Sequence, residues 1–451
     1  MTQGYYAGLS GIQTHQYGLD VVADNLANVN TVGYRGSATE FASLFTEKLV
    51  SAGASTPTSN TIGVGSRLQA TTMSTLNGSL LLTDRFNDLA IDGNGWFGVV
   101  SGNDDYFTRA GNFVFDEYQK IEGDVNSSTA RLTTTDGMYV TGTMLTNFSY
   151  DPAFDYDNTL AQDPEYTSRL GAFTIDTPTN EAALNTIDQQ GAIDFPTRLA
   201  YPVEPTKTTS FYGNLGFDDE IRTMSADAIS TNNERNRVKL VFTQSDVQPA
   251  TGISWDIAAT VTSNDGLVTY DSQTGQAVFG ASGLLDSVTL PVLNNDGSPV
   301  SVDLSSSFGG LISSSGAAIS AYSQSDGISG GTLTKYGINS DGVIIADFSN
   351  GRQSAIGRIA VYHFQNEQGL EREGSTLYRQ SSNSGKPAFW TDANGEAITG
   401  ATMHSGQLEN SNVRMDVGLT DMIILQRAYQ ANAKTITTVD EMIQKALQMR
   451  R

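Results

Sequence analysis

Three histidines, His15, His363 and His404, are the side chains of this sequence best suited to acid–base or metal chemistry, and their spacing brings none of them together. A metal site needs ligands returned to one place, and a nucleophilic triad needs a base within reach of its nucleophile. No Ser-His-Asp arrangement follows from these positions. His15 falls in a helical pattern and His363 in a strand-like run, so they read as structural histidines. The stretch NSGKPA (383–388) has the Gly-Lys of a phosphate loop, but Pro387 stands where a hydroxyl is required. Asp151, Asp155, Asp157, Asp163 and Glu165 could surround calcium, yet they lack the glycine that lets such a loop turn, and they read as a solvated acidic loop. With no cysteine, disulfides, thiolate catalysis and Cys-ligated metals are removed together. The expectation is no catalytic residue, no metal and no cofactor.

Composition narrows the partners. The formal charge of −23 repels nucleic acid and anionic membranes. No apolar run is long enough to span a bilayer. At 451 residues the chain calls for two to four domains, and 38% apolar residues can supply their cores. Only 17% of residues are charged, and Gly, Ser, Thr and Asn dominate the middle, as in an extracellular β-rich protein. The N-terminus, however, shows no basic segment, apolar run or cleavage site of a secretory signal. Outer-surface composition and a missing signal pull apart.

The elements that would position any site divide sharply. All 11 prolines lie between Pro57 and Pro387, leaving both ends free for long helices. At the N-terminus Tyr5, Leu9, Ile12, Gln16, Leu19, Ala23 and Leu26 alternate steps of four and three. Met422, Leu425, Tyr429, Asn432, Ile436, Val439, Ile443 and Ala446 do the same at the C-terminus. Each is a heptad seam with one central polar residue, Gln16 or Asn432, of the kind that fixes register at some cost in stability. At 1.5 Å per residue the helices would run roughly 35–40 Å and 45–50 Å. Ser411 and Asn412 are expected to cap the second, and Lys445, Arg450 and Arg451 suit its negative end. The N-terminal stripe is expected to find its partner in the C-terminal helix.

Between the helices the period becomes two. Val238, Leu240 and Phe242 alternate, as do Trp255, Ile257, Ala259 and Val261, and Asn295-Asp296-Gly297 marks a hairpin. Residues from about 63 to 400 are expected to be almost entirely β, with an acidic loop at 151–165 and a Ser/Gly-rich loop at 305–331. The fold class is mixed and mainly β, with discontinuous β domains inserted between terminal helices that form a coiled-coil-like inner domain. The expected division is 1–30 with 412–451 as the helical domain, 31–62 as an extended linker, 63–145 with 336–411 as an inner β domain, and 146–335 as an outer β domain.

The first helix carries Gly4, Gly8, Gly11 and Gly18, which together remove roughly 3–4 kcal/mol of helix propensity relative to Ala. A segment this weak is expected to order only inside a packed bundle. Gly4, Gly11 and Gly18 repeat every seven residues and form a strip without side chains, along which another helix can approach closely. Heterologous contacts that do not close into a ring would then generate a helical filament. Asn28, Asn30 and Gly33 end the helical pattern and are expected to form a flexible joint to the β region.

LANVNTVGYRGSATEF and SGQLENSNVRMDVGLTDMIILQRAYQANAKTITTVDEMIQ (405–444) resemble the terminal motifs of the flagellar rod and hook family. So do FNDLAIDGNGWFGVV with YFTRAGNFVFD (86–115), and INSDGVIIADFSNGRQSAIGRIAVYHFQNEQGLEREGSTLY (338–378). Matches in this order cover roughly half the chain, while residues 146–335 show no match to the family that can be aligned by eye. Trp96-Phe97 stands where the family more often has two phenylalanines. The resemblance implies a bacterial hook subunit, exported by the flagellar type III apparatus without cleavage. Its paired terminal helices would form the innermost tube of a homopolymer, and its neighbours would be the rod protein, the hook cap and the hook–filament junction proteins. A hook must bend while it rotates, and the expected division of labour has the helices keep the tube continuous while polar β faces slide past one another. A distal rod protein shares the same ends but typically lacks a large outer domain. The alternative from another class is a secreted carbohydrate-binding adhesin or glycosidase displaying Trp255 or Trp390, which would leave the two terminal heptads unexplained.

Overall fold

The computed structural model describes residues 2–44, 46–48, 61–122, 124–156, 170–305, 310–315 and 319–449. Asp157, Asp163 and Glu165 of the acidic stretch lie outside them, as do Arg450 and Arg451. Asp151 accepts a hydrogen bond from the Ala153 amide (2.9 Å) and so belongs to a local turn.

Two helices bracket the chain: α1, Thr2–Ala27, and α2, Met415–Gln448. Neither Ser411 nor Asn412 caps α2, because the cap position falls at Arg414, which makes no side-chain capping bond. Asn412 has another task. Its Oδ1 accepts from the Gly36 amide (2.8 Å) and its Nδ2 donates to the Leu76 carbonyl (2.8 Å), tying the foot of α2 to the strand that follows α1. Asp416 in the first turn and Lys445 in the last complement the helix dipole.

Among the described residues the regular elements between the helices are β-strands and short 3-10 turns, and they condense around two principal cores. The first gathers Leu89, Phe97, Phe113, Phe173, Phe195, Ile344, Ile356 and Val361. Its sheet includes the strands Trp96–Ser101, Tyr139–Met144, Val343–Phe348 and Gln353–Ile359. The second gathers Phe211, Leu240, Phe242, Trp255, Ile257 and Phe279. There the expected alternation pairs antiparallel, with Val238 opposite Val261 and Leu240 opposite Ala259. The Asp296-Gly297 turn closes its hairpin with φ of 48° and 90°.

Three segments differ from the sequence reading. Phe148–Asp151, Ala172–Ile175 and Leu199–Tyr201 hydrogen-bond into the first sheet through Gly331–Ile338, so these strands, expected with the second β unit, belong to the first. The second unit lies between a bridge pairing Glu204 with Ile328 and its own strands Thr208–Asn214 to Ile319–Ser325. The Ser/Gly-rich stretch is not wholly loop, since Ile319–Ser325 runs antiparallel to Thr208–Asn214 and its serine hydroxyls donate to neighbouring carbonyls. Within 31–62, Ser37–Ser43 is a strand paired with Ser66–Met73, and this ribbon packs on α1.

Candidate assembly interface

The two helices run antiparallel and touch along the glycines. A methyl added at Gly4 would lie 3.5 Å from Val439, at Gly8 3.0 Å from Ile436, and at Gly18 3.2 Å from Leu425. At Gly11 it would lie 2.6–2.9 Å from all three outer atoms of Asn432. Near the other end Gly418 approaches Leu26. Glycine costs helix propensity in isolation, but here it lets α2 settle against bare backbone, where dispersion contacts accumulate. Leu425 and Val439 are buried, and Met422, Asn432, Ile436, Ile443 and Ala446 are half-buried; Tyr429 stays exposed.

The stripe of α1 takes a different position from the one its periodicity suggested. Tyr5, Leu9, Gln16 and Ala23 are exposed and Ile12, Leu19 and Leu26 only half-buried. The face against α2 is the heptad one residue earlier: Gly4, Gly8, Gly11, Gly18 and Val22. Gln16 and Asn432, the two polar seam positions, are therefore not partners. A third face of α1 meets the ribbon, where the Thr14 hydroxyl lies 3.0 Å from the Ser66 carbonyl oxygen and His15 packs edge-on to Phe41 at 5.9 Å. Ile423 and Ile424 on α2, each 59% exposed, join the uncovered apolar surface.

At the foot of the helices the chain is clamped. Asn28 and Asn30 continue the turn, and Gly33 (φ +67°) presses against the Arg109–Ala110 backbone, where any Cβ would clash. Its amide donates to the Glu409 carbonyl (2.8 Å). The Glu409 carboxylate is buried between two buried guanidinium groups, Arg35 at 2.9 Å and Arg109 at 3.3 Å. Arg109 also donates to the Ile91 and Gly93 carbonyls (3.0 and 2.6 Å). Burial, with the Arg35 charge beside it, pushes the Arg109 guanidinium down to about 10. Arg372 donates to the Arg35 carbonyl, and the Tyr34 hydroxyl donates to Asp24 (2.8 Å), with burial pushing that phenol up. The sequence reading missed these charges. Their only local signal was charged side chains inside otherwise small and apolar motifs, VGYRG, YFTRAGNF and SGQLENS.

The chemistry-bearing residues remain apart. His15 lies on α1, His363 pairs with Ala388 and stacks on Trp390 (4.1 Å, 16°), and His404 pairs with Ala90. Among the described residues no group of three or more His, Asp or Glu could hold a metal ion. The arrangement is a packing surface with an uncovered apolar side.

Residues 404–449 match the flagellar basal body rod FlgEFG protein C-terminal family, and residues 6–35 match the flagella basal body rod protein family. The chain is similar over 100% of both lengths to the flagellar hook protein FlgE of Borreliella burgdorferi (28% identical) and to that of Treponema pallidum (29%). The Escherichia coli hook protein is 26% identical over 98% of each chain. The crystal structure of Helicobacter pylori flagellar hook protein FlgE2 aligns with 73% of this chain and 100% of that one, at 13% identity and a TM-score of 0.48, too loose a likeness to argue from. Full-length similarity to hook proteins, with both ends matching rod-protein family models, makes the chain an axial protein of the bacterial flagellum. Within that class it belongs to the flagellar hook protein family.

Proposed function

We propose that the chain is the structural subunit of the flagellar hook, polymerising into a curved tube that transmits torque between rod and filament. The observation that carries this reading is the end-to-end similarity to hook proteins, joined to terminal helices whose mutual packing leaves the α1 stripe uncovered. In the polymer the rest of that stripe, Tyr5, Leu9, Ile12, Gln16, Leu19 and Ala23, meets neighbouring copies, while the glycine face and Leu26, which lies against Gly418, stay within the subunit. The helical pair lines the tube, the unit around Phe97 and Phe113 surrounds it, and the unit around Trp255 faces outward. The outward face of that last unit supports a sliding role. Thr223, Ser225, Asp227, Lys239, Asp256, Ser272 and Thr274 are exposed along it, and such groups exchange direct and water-mediated hydrogen bonds at little cost.

The rod protein, hook cap, junction proteins and export apparatus are the further partners of this reading, with export by the type III route and no cleaved signal. The second β unit favours hook over distal rod. The adhesin reading loses one of its two platforms, since Trp255 is fully buried with its Nε1 donating to Ser313 (3.3 Å); Trp390 remains 39% exposed but stacks one face on His363. A structural role needs no catalytic group. Purified protein should polymerise above a threshold concentration with no ligand added, into tubes visible by electron microscopy. Protein that stays monomeric at every concentration would overturn the reading.

A further inference from the structure

Beside the helices, where the β ribbon meets the foot of α2, lies a groove of 510 Å³. Its apolar wall includes Val22, Phe41, Leu76, Val417 and Ile424. The charged groups that line it are Arg414 and Asp421, one of each sign, and Arg414 is already paired with Asp416 at 2.8 Å. The groove thus offers an apolar bed of balanced charge, fitted to a segment that is itself uncharged.

The described chain has such a segment. Between Thr2 and Leu19, in a protein of net charge −23, there is no Asp, Glu, Lys or Arg. This stretch nevertheless exposes Tyr5, Tyr6 (60%), Leu9 and Tyr17. Burying one aromatic ring removes about 150–250 Å² from water, so Tyr5 and Tyr6, packed edge to face at 6.0 Å, form a large unpaired knob.

The knob cannot reach its own groove. Val21 and Val22 of the groove wall stand on the same helix, 15 and 16 positions beyond Tyr6, or roughly 22–24 Å along a rigid rod. We infer that the Tyr5–Tyr6–Leu9 end of α1 docks into the groove between α1, α2 and the β ribbon of a second copy. Knob and groove are different surfaces at opposite ends of one helical pair, so the contact is heterologous. Repeated, it propagates without consuming itself, as an open filament requires. The inference rests on the polymeric reading above and supplies the residues on both sides of one of its contacts.

The absence of cysteine makes the test clean. Two single variants, Tyr6→Cys and Val417→Cys, are mixed, assembled and then oxidised. The expected product is a disulfide-linked dimer on a non-reducing gel, present in the polymer and absent from dilute protein. A third variant, Val247→Cys on the outer unit, should give none when paired with Tyr6→Cys. If either variant assembles poorly alone, it is added as a minor component to wild-type protein, and the dimer is still read. Polymer without the Tyr6–Val417 dimer would overturn this docking while leaving the hook reading intact. Equal dimer with Val247→Cys would overturn it as well. Wild-type protein that never polymerises would instead remove the reading on which it rests.

Discussion

Asn432 fills the space that a side chain at position 11 would occupy: a methyl at Gly11 would stand 2.6 Å from its Nδ2, 2.7 Å from its Cγ and 2.9 Å from its Oδ1. The whole amide would have to move out of its half-buried place between α2 and the bare face of α1. Gly11→Ala gains about 1 kcal/mol of helix propensity but incurs overpacking of about 1–3 kcal/mol. Assembly should therefore require a higher protein concentration despite the better helix former. Asn432→Ala in the same chain should restore it, and Gly4→Ala, where the contact is an ordinary 3.5 Å, should assemble at least as well as wild type. Threshold concentrations read by light scattering decide the matter; no rescue by Asn432→Ala would show that the two residues are not coupled.

The same seam gives a charge test. Leu425 is buried against Gly18, and an aspartate there would lose its hydration without gaining a partner. An unpaired buried charge typically costs several kcal/mol, repeated in every subunit. Leu425→Asp should abolish polymerisation while the melting of the β units is unchanged; exposed Arg427→Gln should assemble normally. Ordinary tubes from Leu425→Asp would remove the helix pair from the assembly mechanism.

The helices, the change of period between them and the strands of the second unit were legible because each is a local pattern. What the pattern left open was which stripe meets which. Tyr5, Leu9 and Ile12 and their neighbours Gly4, Gly8 and Gly11 are both heptads, offset by one residue, and a glycine contributes nothing to a hydrophobic count. The clamp was illegible for another reason. Arg35, Arg109 and Glu409 are brought together from three distant segments, and no spacing records that. The joint expected at Asn28, Asn30 and Gly33 leads straight into this buried cluster, so the structure ties down a place the turn residues suggested would be loose.

Removing the central carboxylate should expose that tie. Glu409→Ala would leave Arg35 and Arg109 buried side by side without their counter-charge, a loss of about 3–5 kcal/mol by analogy with other broken buried pairs. In a unit of this size the melting temperature should fall by about 10 °C. Arg109 is already held down to about 10 by burial and by Arg35, so the defect should be larger than for the exposed pair broken by Asp104→Ala, whose carboxylate meets Arg379 on the surface. Calorimetry of the fragment 31–411, which retains the clamp and both β cores and should be a folded, β-rich monomer, measures the difference without interference from polymerisation.

Ser375 and Thr376 turn a hairpin with φ of 47° and 61°, a backbone that Asn-Gly adopts readily and a β-branched residue resists. Strain of this kind costs about 1–3 kcal/mol per residue. Replacing the pair by Asn-Gly should raise the melting temperature of the first unit by a few degrees. An unchanged or lower value would mean that the contact between Thr108 and the Thr376 carbonyl (3.1 Å) depends on the native turn.

His363 supplies the pH dependence. Burial holds its imidazole below the ordinary value of 6.5, partly offset by a hydrogen bond with the Ala388 backbone and by the Glu367 charge. Between the ordinary value and the depressed one the unfolded chain binds more protons than the folded chain, so stability falls as the pH drops through this window and is fully recovered above it. The Nδ1 atom is buried without a partner among the described residues, and the ring's main contact is the stack on Trp390, so a phenyl group can take its place. His363→Phe should match wild type at neutral pH and melt higher than wild type at pH values well below 6.5. Carboxylates shared by the two proteins change both melting curves alike, so the quantity to follow is the gap between them. A gap that stays constant from neutral to acidic pH would show that His363 titrates as it does in the unfolded chain.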